Sequence, residues 1–314
     1  MSRTAARKPR TRLMSVLRLA VAAVVATGLS TLAACGGAGN HSGLDSDGGD
    51  SSKTITIGQI SWTEDLAVTA VWKRILEKKG YTVHTKLLDS GPLFTGIANG
   101  DLDAWFDVWL PNGSGSYWKK FKDKVHDVGV WYSPADLGIA VPDYVDAQSL
   151  ADLGRDASEF DGTIVGIEAS AGEMVILKNR VMPAYKLKKH GVKLTPSSTP
   201  AMLGSLKTAI QKHEPVAVVM WHPHWAFNKY NIRYLKDPKH AWGEPDKLHT
   251  ITSKDFASSH PKVERWFKNF HLTAKQLQGL EGMRQKAGDS NAAQTKATAK
   301  WVQQNKAVWK KWVS

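Results

Sequence analysis

The sequence predicts an α/β fold in two lobes, and three observations carry that prediction. From Lys53 onward, short β-branched runs alternate with helical patterns, as expected of βαβ units and mostly parallel sheets. The alternation runs out in a strand at 137–142 and starts afresh at Thr163. Three tryptophans, Trp62, Trp109 and Trp221, each stand where a strand of the pattern ends.

The first strand is 54–60. Ser61 and Glu64 then form a capping-box pattern, able to satisfy the first amides of a helix that runs to about Lys79 and stops at Gly80. Strands follow at 82–88 and 104–109, with a helical stretch at 93–99 between them, and Pro111 ends the run. The second set comprises a strand at 163–167, a helix from Glu173, a strand at 192–195, a helix at 202–212 and a strand at 216–220. A strand at 249–252 returns to the first set, and the remainder is helical. Ala297, Trp301, Val302, Val308 and Trp312 form the apolar face of the last helical stretch. Lobe I is therefore 53–142 with 248–314, and lobe II is 143–247.

The amino terminus is a processing segment. Basic residues to Arg12 precede an apolar run that ends Leu32-Ala33-Ala34-Cys35. Arg18 interrupts that run, which argues against a permanent membrane span. The sole cysteine stands at the cut, so 1–34 resembles a lipoprotein signal peptide, with Cys35 as the lipidated first residue of the mature chain. Residues 36–52, mostly Gly, Ser, Asp, Asn and Ala, are a flexible tether spanning roughly 20–25 Å. The expected location is extracytoplasmic, on the membrane by its lipid.

The formal charge of +13 drops to +7 once the six basic residues of the leader are set aside. What remains is spread over Lys-rich helices with acidic residues between, a solvated surface that argues against nucleic-acid binding.

Side chains at strand ends of an open α/β sheet converge on the ligand crevice. Three indoles there make an aromatic box, suited to a cation with no N–H to donate, and quaternary ammonium compounds are the natural guests. Between Ile167 and the next helix lies Glu168-Ala169-Ser170-Ala171-Gly172-Glu173, a small-residue loop opening a helix. Free N–H groups there suit an anion, and Gly172 allows close approach. Together these predict a zwitterion with a quaternary ammonium at one end and a carboxylate at the other. Trp72, Trp266, Trp301, Trp309 and Trp312 lie on helical patterns and are expected in the core. Trp105 is also assigned to the core, and Trp225 is ambiguous.

Enzymatic readings find little support. Ser116-Tyr117-Trp118-Lys119 matches the Ser-x-x-Lys of a cell-wall enzyme, but Ser-Asp-Asn and Lys-Thr-Gly are missing. There is no Gly-x-Ser-x-Gly, Walker A loop or Gly-x-Gly-x-x-Gly. His222-Pro223-His224 has no cysteine or carboxylate at ligand spacing, so neither metal nor cofactor is expected.

The stretches Trp109-Leu110-Pro111-Asn112, Gly166-Ile167-Glu168-Ala169-Ser170-Ala171-Gly172-Glu173-Met174 and Met220-Trp221-His222-Pro223-His224-Trp225-Ala226-Phe227 resemble the glycine betaine substrate-binding proteins of ABC importers. So do Tyr234-Leu235-Lys236-Asp237-Pro238 and Leu248-His249-Thr250-Ile251. The resemblance implies a type II periplasmic-binding-protein-like fold that closes on a betaine, with Trp62, Trp109 and Trp221 around the trimethylammonium group. It implies backbone amides of Gly172 and Glu173 on the carboxylate, and an ABC permease as partner. Two departures stand out. The family's histidine after Trp-Leu-Pro is missing, leaving Ser114 as the substitute donor, and Glu173 replaces an apolar residue, where a charged side chain in the cleft would repel an anion. Choline or carnitine therefore remains an alternative ligand, and a lipid-tethered scaffold without a small ligand is the alternative of a different class.

Overall fold

The computed structural model describes residues 50–314. Cys35, the leader and most of the tether lie outside the described residues. Among the described residues no helix is long and apolar enough to cross a membrane.

The chain begins with β1 (Thr54–Gln59), α1 (Thr63–Lys78), β2 (Thr82–Leu87), α2 (Ser90–Asn99), β3 (Ala104–Leu110), α3 (Gly115–Phe121) and β4 (Val125–Pro142). It continues with α4 (Leu150–Arg155), β5 (Thr163–Val165), α5 (Gly172–Ile176), α6 (Met182–Ala184), β6 (Lys193–Thr195), α7 (Thr199–Lys212), β7 (Ala217–His222), β8 (Ile232–Tyr234) and β9 (Asp246–Ser253). Helices over Pro261–Lys268, Ala274–Ala287 and Asn291–Gln304 cover the first lobe. This mixed α/β architecture is the predicted fold class.

Neighbouring strands run in the order β2-β1-β3-β9-β4-β7-β5-β6, with β8 beside β4. β1 is parallel to β2 and β3, β5 is parallel to β6 and β7, and β9 and β7 are antiparallel to β4. β4 serves both lobes. It pairs with β9 from Val125 to Ala135, then with β7 from Asp136 to Ala140, and with β8 from Ala140 to Pro142. The strand expected at 137–142 is thus the last third of a longer one.

Beneath the first sheet, α1 buries Val68, Val71, Trp72, Ile75 and Leu76, the one-sided spacing of an amphipathic helix. Trp72 is enclosed by Phe106, Phe267, Phe270 and Trp312, with ring centroids 4.8 to 5.9 Å away. Trp105, Trp266, Trp301 and Trp309 are buried in the core as expected.

The capping box predicted at the start of α1 does not form. Trp62 is the N-cap residue and no side chain caps the helix. Ser61 instead donates its hydroxyl to Glu168, 2.7 Å away, and Glu64 accepts from Trp221 at 2.8 Å. Tertiary partners have outcompeted the local ones.

Candidate functional site

Trp62 follows β1, Trp109 lies at the end of β3 and Trp221 near the end of β7. All three are buried, at 8%, 3% and 2% exposure, and all three line one cavity with about 20 Å³ of free space. That is far below the range for small-molecule sites, so the rings are nearly closed on one another. Trp62 and Trp221 face each other at 6.3 Å between centroids, tilted by 51°. Leu137 and Ile167 add apolar wall, while Gly113, Gly172, Glu64 and Glu173 supply the polar part.

Each indole N–H meets a carboxylate. Trp221 donates to Glu64 at 2.8 Å, Trp109 to Asp107 at 3.1 Å and Trp62 to Glu168 at 3.4 Å. Indole has a single N–H donor, so one acceptor fixes the ring about its own axis and leaves its faces free. Strand period explains one pair, since Asp107 and Trp109 are two residues apart on the same face of β3. Trp105, separated from Trp109 by a register shift in the β3–β9 pairing, donates to Asp65 at 3.3 Å.

These acids are unusual because they are buried together. Burial pushes Glu64 up to about 7, against hydrogen bonds that pull it down. Burial also raises Asp65 to about 8, and the neighbouring Glu64 pushes it the same way. Asp107 lies well above the ordinary range through burial and the charges of Glu64 and Asp65. Glu281 is raised by burial and by Glu64. Glu168 differs. Burial would raise it, but hydrogen bonds from Thr199 and Ser61 together hold it below the usual value.

Glu168 also spans the lobes. It accepts from Thr199 of its own lobe at 2.9 Å and from Ser61 and Trp62 across the cleft. Tyr117 donates to the Ser170 carbonyl at 3.0 Å, another crossing. Closest of all is Gly172 against Gly113. A Cβ on Gly172 would lie 1.4 Å from the Gly113 carbonyl oxygen, so only glycine permits this closed arrangement.

The turn after Trp109 is pinned by Asp246, which accepts from the amides of Asn112 at 2.6 Å and Gly113 at 2.8 Å. Ser114 is buried in that turn, and its oxygen accepts from the Trp109 amide at 3.1 Å. Gly113, rather than Ser114, is the residue of this turn on the cavity wall. α5 opens at Gly172 after Ala171, which offers no side-chain cap, and its helical course continues to Ala184. Glu173 is 5% exposed, lines the cavity, and accepts from the Gly138 amide at 3.3 Å. Burial pushes its carboxyl well above the usual range. Gly138 opposes that shift, while Glu64 and Asp246 add to it.

Sequence reasoning named the three rings, Gly172 and Glu173, which the fold brings onto one cavity. It missed Glu64, Gly113, Leu137, Ile167 and the role of Glu168. Glu64 follows Trp62 by two residues, and that adjacency was the one signal available. His224, off the cavity, stands edge-on to Trp221 at 4.8 Å, its Nδ1 accepting from the Ala226 amide. Trp225 does not line the cavity but packs near Tyr230.

Residues 53–304 match the family model described as the substrate binding domain of ABC-type glycine betaine transport system. A glycine betaine/carnitine transport binding protein of Listeria monocytogenes is 32% identical over 161 residues. That match covers 51% of this chain, and spans about half of the curated relative, 51% of its length. The glycine betaine, L-proline ABC transporter binding protein from Borrelia burgdorferi is similar at 29% identity and a TM-score of 0.78, covering 83% of this chain and 97% of that one. A lactococcal protein in its closed-liganded conformation with glycine betaine gives 30% identity and a TM-score of 0.77, over 83% and 100%. A choline-binding protein at 22% identity shares the fold, with a TM-score of 0.75 over 83% and 91%. With the two-lobed sheet, the three-indole cavity and a family match over most of its length, this chain belongs to the substrate-binding domains of ABC-type glycine betaine transport systems.

Proposed function

We propose that this protein is an extracytoplasmic receptor that captures glycine betaine or a close quaternary ammonium osmoprotectant and passes it to an ABC permease. It is held at the membrane through lipid on Cys35, and lobe closure captures the ligand without covalent chemistry. The observation that carries the reading is the convergence of Trp62, Trp109 and Trp221 from three separate strand ends onto one cavity. Their faces attract a trimethylammonium group, each contact contributing about 0.5–2 kcal/mol when desolvated. Amides of Gly172 and Glu173 at the opening of α5 meet the carboxylate, while Ser114, off the cavity wall, holds the turn after Trp109. A ligand touching both lobes favours the closed form because the open form lacks half of those contacts.

A choline receptor is the second reading, and Glu64 on the cavity wall favours it, because its carboxylate, once ionised, suits a cation without an anionic end. Calorimetric titration of the purified full chain in detergent with glycine betaine and with choline tests both. Tighter betaine binding supports the first reading and tighter choline binding the second, while heat from neither ligand removes the quaternary ammonium function.

A further inference from the structure

The side of the cavity that the rings leave open contains no lysine, arginine or histidine. An anionic ligand end must therefore be met by neutral donors. Backbone N–H groups at Gly172 and Glu173 are one source. Among side chains on the wall, Glu64 takes the Trp221 N–H at 2.8 Å and the Thr63 hydroxyl at 3.3 Å on one oxygen, and its other oxygen is buried and meets no donor among the described residues. Glu173 has fewer partners. One of its oxygens accepts from Gly138, and among the described residues no protein group hydrogen-bonds the other.

We propose that Glu173 is a specificity-determining residue, a neutral carboxylic acid whose O–H donates to the anionic end of the ligand and so selects a zwitterion over a simple cation. This rests on the quaternary ammonium reading and deepens it. The surroundings favour the acid form. Glu64 on α1 and Asp246 on β9 both act on Glu173 with negative charge, and Tyr234 on β8, itself buried with Asp136 nearby, supplies no cation. A carboxylic acid in such a place keeps its proton, and once ionised it would repel the anion that it otherwise binds.

Glu64 also titrates on this wall, and its charge acts on the trimethylammonium group that glycine betaine and choline share. The ratio of the two affinities cancels that shared action, and Glu173→Gln, which keeps Glu64, is the control for any effect of Glu64 on the anionic end. We would measure that ratio for the full chain, Glu173→Gln and Glu173→Leu from about pH 5.5 to about pH 9. In the unaltered protein the preference for betaine should fall as pH rises, approaching tenfold per pH unit once Glu173 ionises. Glu173→Gln should keep a betaine preference that no longer varies with pH, since the amide still donates. Glu173→Leu should lose about tenfold of the preference. A flat ratio in the unaltered protein, or equal ratios in the Gln and Leu variants, overturns the inference while leaving the quaternary ammonium site standing. Binding of neither ligand overturns both.

Discussion

Two aromatic clusters in this protein are almost equally buried and have opposite designs. Around Trp72, four rings close on one indole at 4.8 to 5.9 Å, two edge-on, one stacked and one tilted, while its N–H has no partner among the described residues. At the cavity the reverse holds. Each N–H is tied to a carboxylate, Trp109 has no aromatic neighbour, and Trp62 meets Trp221 only at 6.3 Å. The core cluster packs ring on ring, whereas at the cavity the indole edges are fixed and only Trp221 has an aromatic neighbour as close, His224 at 4.8 Å. Burial alone therefore does not tell a tryptophan of the core from one proposed to bind ligand; what the faces and the N–H meet differs.

Substitutions break this contrast in graded ways. Trp72→Ala is expected to cost about 3–5 kcal/mol of stability, read as a lowered denaturation midpoint, with ligand affinity retained in the folded fraction. Gly172→Ala should leave the melting temperature nearly unchanged yet weaken binding by about 100-fold, because the Cβ meets the Gly113 backbone, which cannot rotate away. Trp109→Ala or Trp221→Ala should weaken binding by about tenfold each, with a smaller stability loss than Trp72→Ala. Unchanged affinity in both would remove the distinction between the clusters.

A subtler difference shows in pH. Glu64 at about 7 and Asp65 at about 8 have folded values above their unfolded ones, and Asp107, Glu173 and Glu281 are raised as well. The folded state thus binds more protons than the unfolded, and its stability falls with rising pH. The contribution is full below about 4.5 and is lost as pH passes through about 7 to 8 for the first two groups. Melting of the empty protein should move down by a few °C between about pH 5.5 and about pH 8.5, and a saturating quaternary ammonium ligand should flatten the slope by favouring ionised Glu64. A melting temperature that rises over that range would refute the buried acids as drawn.

Much of this was legible in the sequence where a pattern repeats. Strands 54–60 and 104–109 and the helix to Lys79 follow from periodicity, and strand ends singled out the three rings from thirteen tryptophans. The early part of β4 was not legible, because Gly129, at φ 132, and Pro134 look like breaks. Register shifts at 127/129, 130/132 and 132/135 let the strand continue past them. β8, only Ile232–Tyr234, is too short to show a period. Ser61 and Glu64 carried a real local signal that partners 107 and 157 positions away in the chain overrode. The acid environment of Glu64, Asp65 and Asp107 arises only once α1 lies on β3.

The hydrogen bonds at the rings have a kinetic consequence. Trp62 of the first lobe is held by Glu168 of the second, and Trp221 of the second by Glu64 of the first. Each lobe lends the other the acceptor that steadies its ring. Separating the lobes therefore does more than uncover the cavity: it unfastens two of its three walls in the same motion. For the ligand proposed to sit there, departure requires that same motion, so its residence time would follow how often the lobes part.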